Sequence, residues 1–235
     1  MQVIIDGRVN TEIEKYFLEL GYEIIRIKKH DNIYSEISSH TDIFCLKLGN
    51  TVICEKNSIS DILDNKYDCI NGDNVENIYP KVAAYNVCVI DNFAIHNLKI
   101  TDKKILNKLN DMKYTLIDVK QGYSRCSILP LGNKSCITSD KGIYNKLIQN
   151  DFDVLYLDSS ELDIKLFNKD GTYSNMSGFI GGCSCVLNDT VIFFGDVDKL
   201  KCKEKLINYI NLKGYKIKDF KNMDVIDYGS CIFLD

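Results

Sequence analysis

The sequence predicts one α/β domain over residues 1–235, a five-bladed α/β propeller of ββαβ-type repeats with pseudo-fivefold symmetry, the last repeat closed by the two termini. Three observations predict it. An apolar run, a two-residue polar turn and a second apolar run recur along the chain, as expected of repeated hairpins. A helical pattern and a further strand follow each hairpin. The chain ends on the first strand of a unit and begins on the second. The competing reading is an ordinary mixed α/β domain with chance hairpin similarity.

The elements follow in order. Residues 1–6 form a strand, 10–20 a helix stopped by Gly21, and 22–27 a strand. Residues 43–53 form a hairpin turning at Gly49-Asn50, followed by a short helix near 59–63 and a strand at 67–70. The second hairpin, 87–97, turns at Asp91-Asn92 and leads into a helix at 101–109 and a strand at 113–119. The third, 126–137, keeps the Leu-Gly-Asn of the first; a helix opens at Ser139-Asp140 and runs to Ile148, and a strand covers 152–157. The fourth, 183–194, turns at Asn188-Asp189, with a helix over 196–212 closed by Gly214 and a strand at 215–220. Residues 228–235 are a lone first strand whose partner is 1–6. Pairing the two removes the open edges that a linear array would leave.

Composition narrows the function. Hydrophobic residues make 45% of the chain and charged residues 26%, enough for a packed core. Net charge is −4, and no basic stripe offers the field that nucleic acid or an anionic membrane requires. No segment is apolar enough to span a membrane, and residues 1–6 lack the basic start of an export signal. Ten Cys without a CxxC pair point to free thiols in a reducing cytoplasm. Three scattered His do not suggest a zinc cluster, and no cofactor or metal is expected. Cys183 and Cys185 read as core, His96 as a packing or surface residue, and His30 as a loop residue. A homodimer is compatible with the sequence.

In a propeller of this kind the residues just before each first strand face the central funnel. Here they are Ser39-His40-Thr41-Asp42, Ala84-Tyr85-Asn86, Tyr123-Ser124-Arg125-Cys126, Gly181-Gly182-Cys183 and Asp227-Tyr228-Gly229. A Cys, a His and carboxylates meet there, which is what a thiol nucleophile with a proton shuttle and a cationic substrate needs.

These segments resemble motifs of the pentein-fold, guanidino-group-modifying enzymes: arginine and agmatine deiminases, dimethylarginine hydrolases and amidinotransferases. His40-Thr41-Asp42 matches their His-x-Asp, Ala83-Ala84-Tyr85-Asn86 is similar to an Ala-Ser-Tyr-x-Asn segment, and Asp227-Tyr228-Gly229-Ser230 looks like their acidic-Gly-Gly segment. Gly122 to Cys126 resembles the Gly-rich approach to the nucleophilic Cys. The order agrees around the ring if the chain is circularly permuted, since Cys126 is mid-chain. The family's Arg-Asp segment has no counterpart, and the fourth repeat carries Gly181-Gly182 where an acid is expected, unless Glu36 swings in. The resemblance implies Cys126 as nucleophile and His40 as acid and base. It implies Asp42 and Asp227 as ligands of a small cation, with Asn86 beside them, and Arg125 to lower the thiol pKa or bind a substrate carboxylate. The implied activity is a deiminase- or amidinohydrolase-like attack on a guanidine or amidine C–N bond; the alternative is a non-catalytic pentein that binds a small molecule or protein.

Overall fold

A computed structural model describes residues 1–56, 58, 63 and 67–234. In chain order, β1 (Gln2–Asp6), α1 (Thr11–Glu19) and β2 (Glu23–Ile27) come first. Then follow the single turn α2 (Thr41–Phe44), β3 (Cys45–Leu48), β4 (Thr51–Cys54) and β5 (Asp68–Asn71). Next are β6 (Cys88–Ile90), β7 (Phe93–His96), α3 (Lys103–Asp111) and β8 (Thr115–Asp118). A second single turn, α4 (Ser124–Ser127), precedes β9 (Ile128–Gly132), β10 (Ser135–Thr138), α5 (Lys141–Ile148) and β11 (Asp153–Tyr156). The last group is β12 (Ser184–Leu187), β13 (Thr190–Phe193), α6 (Lys203–Leu212), β14 (Lys216–Lys218) and β15 (Ile232–Leu234).

The strands form five three-stranded sheets on one plan, β3-β4-β5, β6-β7-β8, β9-β10-β11, β12-β13-β14 and β15-β1-β2. In each, the first pair is antiparallel and the second parallel. The chain ends therefore share a sheet, with Gln2 opposite Leu234 and Ile4 opposite Ile232.

Local chemistry explains the repetition. Gly49, Asp91 and Asn188 take positive φ at the first turn position, as a twisted two-residue hairpin requires. In the third hairpin the turn moves one residue on, to Asn133 and Lys134, and a register shift at Ser135/Cys136 absorbs the extra residue. Side chains of Asn10, Asp102 and Asp140 accept the first free N–H groups of α1, α3 and α5. Each helix buries an i, i+4 pair: Ile13 and Phe17, Ile105 and Leu109, Ile143 and Leu147, Leu206 and Ile210. The left-handed stop after each helix is Gly21 or Gly214, or else Lys113 or Asp151, which accept the strain.

The buried core divides into five clusters, each bridging consecutive units. Leu46, Leu48 and Ile53 pack with Ala94, Ile105 and Leu109. Cys88 and Ile95 meet Ile128 and Ile143, and Leu129 and Ile137 meet Val191 and Leu206. Ile192 and Phe194 pack with Val3, Ile13 and Phe17. Ile4, Ile25 and Leu234 pack with Ile43, Val52 and Cys54, so the terminal sheet has a neighbour on each side.

Two expectations need correction. The third hairpin's first strand begins at Ile128, and Cys126 lies in the turn α4. The helix expected over 196–212 is broken: a 3₁₀ turn, Val197–Lys199, capped by Asp196, precedes α6. The helix expected near 59–63 lies almost wholly outside the described residues. No helix among the described residues is long and apolar enough to cross a membrane.

Candidate active site

α2 and α4 are equivalent turns, each directly before the first strand of its sheet, and they carry Asp42 and Cys126. Four residues hydrogen-bonded through backbone or side chain cannot form a helix of independent stability, so α4 needs a clamp from outside. The fully buried side chain of Asn86 provides it. Its Oδ1 accepts the N–H groups of Arg125 at 2.7 Å and Cys126 at 3.2 Å. Its Nδ2 donates to Asp42 O and to Cys126 Sγ, both at 3.3 Å. One amide thus ties both turns together.

Cys126 Sγ donates to Asp42 Oδ2 at 2.8 Å. Burial, and next the charges of Asp42 and Asp227, hold the thiol pKa well above its ordinary value. Burial also raises the Asp42 carboxyl, partly offset by the bond from Cys126 and the charge of Arg125. Both groups are thus pushed toward their protonated forms by burial.

His40 precedes α2 and is completely buried. Its Nδ1 lies 3.7 Å from Asp227 Oδ1 and its Nε2 3.9 Å from Asp6 Oδ2. Neither ring nitrogen has a hydrogen-bond partner among the described residues. Burial pushes its pKa down, while Asp227 and Asp6 pull it up. Asp227 is itself held by the N–H groups of Gly229 (2.9 Å) and Phe179 (2.8 Å), and burial raises its carboxyl. Each Asp227 oxygen thus accepts one backbone N–H.

Sequence reasoning missed Asp6, which it read only as a strand end. Asp6 accepts from Ser39 Oγ at 2.7 Å and from Arg8 Nη2 at 2.7 Å, and Arg8 also donates to the carbonyls of Ser35 and Glu36. An acid closing an apolar strand two residues before an Arg was the available signal. Glu36 does not swing in: its carboxylate accepts from Ser35 and Ser174.

Arg125 is held by three acceptors. Its guanidinium donates to Ile128 O (3.1 Å), Gly181 O (3.1 Å) and Ser230 Oγ (2.6 Å). It faces, with Asp42 and Lys47, a cavity of about 330 Å³ on one side of the Asp42–Cys126 contact. On the other side His40, Cys126 and Asp227 line a second cavity of about 180 Å³, walled by Tyr34, Tyr123, Phe179 and Leu166.

The acid absent from the fourth repeat has a steric cause. A Cβ on Gly182 would stand 2.0 Å from Asp227 Oδ1, and one on Gly181 2.2 Å from Ile128 O. The N–H groups of both glycines close on Cys126 O at 2.7 and 3.0 Å. The backbone of this segment is a second clamp on α4, and Asp227 fills the space above it.

Among the described residues, donor atoms of His40, Cys126 and Asp227 all lie within 4.8 Å of one another, and these are zinc-type ligands that a metal could use. Scattered in sequence, they are brought together by the fold. His96, by contrast, is a buried packing residue whose Nε2 donates to Gly122 O at 2.9 Å.

The fold and site define a class. The chain is similar to dimethylarginine dimethylaminohydrolase from Pseudomonas aeruginosa, seen as a Cys→Ser variant complexed with citrulline, at a TM-score of 0.58 and 10% identity over 95% of this chain and 91% of that one. It is similar to an amidinotransferase of the saxitoxin biosynthetic pathway from Microseira wollei, at a TM-score of 0.55 and 12% identity over 97% and 88%. The likeness to pentein-fold, guanidino-group-modifying enzymes is therefore borne out at the level of fold. The chain itself belongs to the family described as a family of unknown function, DUF6873, whose model matches residues 4–232. No curated protein matches it.

Proposed function

We propose that the chain is a Cys-dependent hydrolase or transferase acting on a guanidine or amidine C–N bond, built on five units closed into a ring with Cys126 and His40 at the axis. The observation that carries the reading is the meeting of Cys126 Sγ, a His40 ring nitrogen and an Asp227 carboxylate oxygen within 4.8 Å at the floor of a cavity. The five core clusters, each joining consecutive units and the last unit to the first, support the ring.

The resting thiol is protonated, so activation has to come with the substrate. A small cation entering the cavity beside Cys126 and Asp227 lowers the thiol pKa by charge and leaves the proton on His40. The thiolate attacks the central carbon; a C–S bond forms and the C=N electron pair moves to nitrogen. His40 protonates the departing nitrogen as the C–N bond breaks, releasing an amine. Water, or an acceptor amine in a transferase, then attacks the Cys-bound carbon and gives a proton to His40. The C–S bond breaks and the thiol regains its proton. Asp227, 3.7 Å from Nδ1, favours the imidazolium by its charge in both steps.

Mass spectrometry after exposure to a panel of guanidines and amidines tests the reading, with Cys126→Ala as control. A covalent adduct on the wild type and none on Cys126→Ala is expected, forming more slowly in His40→Asn, which lacks the group that protonates the departing nitrogen. No adduct from any member, or one that persists in Cys126→Ala, overturns it. The second reading, a non-catalytic binder, draws on the high thiol pKa; it requires equal binding by wild type and Cys126→Ala without adduct.

A further inference from the structure

We infer that the cavity above Cys126 selects amidine or guanidine cations bearing an apolar alkyl or aryl substituent and no carboxylate. The inference rests on the proposed function and adds a substrate class to it. The floor is polar: His40, fully buried, has two ring nitrogens without hydrogen-bond partners among the described residues, and Asp227 lies beside it. The wall is not. Tyr34, Tyr123, Phe179, Leu166 and Met176 line it, and among the described residues no Lys, Arg or Glu does. The rings of Tyr123 and Phe179 stand 6.3 Å apart at an interplanar angle of 38°, and Tyr79 packs on Tyr123 at 5.3 Å. Aromatic faces attract a delocalised cation, and an apolar substituent gains by leaving water for such a wall.

The cations near the floor are turned away. Arg125 and Lys47 face the opposite cavity, and Arg8 is bound to Asp6 and two carbonyls. A substrate carboxylate, as on arginine, would enter the apolar cavity without a partner, and its lost hydration would go uncompensated. Size agrees: about 180 Å³ slightly exceeds the roughly 150 Å³ apolar cavity that accepts benzene, so a head group and one ring-sized substituent fill it. Tyr34 and Met176 stay 47% and 53% exposed at the rim, apolar groups left in water where a substituent would cover them.

The test is calorimetric binding of benzylguanidine, guanidine and arginine to Cys126→Ala, which binds without reacting. Benzylguanidine is expected to bind about tenfold or more tighter than guanidine, with arginine weakest. The exposed rim allows variants that leave the core alone. Tyr34→Ala should weaken benzylguanidine by a larger factor than guanidine and so reduce the benzyl advantage, and Met176→Arg should bring arginine up by about tenfold. Arginine binding as tightly as benzylguanidine to the unaltered rim overturns the inference. Adducts on wild-type Cys126 with that reversed ranking would defeat the selectivity alone. The expected ranking without adducts would defeat catalysis alone, and no binding of any probe by either protein would defeat both.

Discussion

Asn86→Ala should destabilise the protein by about 3 kcal/mol, a figure that follows from the hydrogen bonds of one side chain. Truncation removes the acceptor for the Arg125 and Cys126 N–H groups and the donor to Asp42 O and Cys126 Sγ. The Arg125 N–H keeps a partner, since the backbone carbonyl of Asn86 already accepts it at 3.1 Å. The Cys126 N–H does not. A buried donor left alone costs about 2 kcal/mol, and the other lost bonds add about 1 kcal/mol after solvent exchange. Denaturant midpoints at unchanged slope measure the loss. Because α4 then loses its side-chain clamp and keeps only backbone and peripheral bonds, such as those from Gly181 and Gly182 to Cys126 O, the same variant should let Cys126 react faster with iodoacetamide. A loss under about 0.5 kcal/mol, within the range of inconsequential surface changes, would refute the clamp.

Gly182→Ala sets a Cβ 2.0 Å from Asp227 Oδ1 and should displace that carboxylate from His40, lowering the melting temperature by about 5–10 °C, whereas Gly214→Ala, with nothing within 4 Å, should cost only its left-handed strain. Acid should destabilise through His96, whose pKa falls from 6.5 to about 4 on burial. The unfolded chain takes up the proton first, so this stability is complete above pH 6.5 and lost as pH falls toward 4, worth about 3 kcal/mol. His96→Gln should flatten the melting curve over that range, and parallel curves for the two proteins would contradict it. At pH 7.5, free Cys126 should alkylate more slowly than half-buried Cys69, and an amidine electrophile should reverse the order. Cys126 labelling fastest without a cation present would contradict the resting state derived above.

The sheets were legible because each rests on local signals: two-residue turns such as Asp91-Asn92, capping Asp102 and Asp140, and the i, i+4 pairs of the helices. Cys126 was misplaced because an amide forty residues earlier makes α4, and no local pattern carries that bond. The broken helix was hidden for a similar reason. Asp196 caps the turn at 197–199 and also takes the Asn222 N–H, ending one element before the next starts at Lys203. The His, Cys and acids were found from their places before the first strands. Their roles were not, since the pairing of Cys126 with Asp42, and of His40 with Asp227 and Asp6, is fixed by side-chain geometry across units. The aromatic wall was invisible: Tyr34, Tyr123 and Phe179 come from three separate connections.

The sheet that joins β1 to β15 also has a consequence in time. Its antiparallel partners are far apart in sequence, Gln2 pairing with Leu234, so β1 finds this partner only after Ile232 to Leu234 have been made. Asp6, at the end of β1, and Asp227, just ahead of β15, flank His40 from that late-forming sheet. The other four sheets are contiguous in the chain and can form as they emerge. The thiol and its turn can therefore be in place while the imidazole still lacks both acids, and the reactive centre is completed only once β15 has paired with β1.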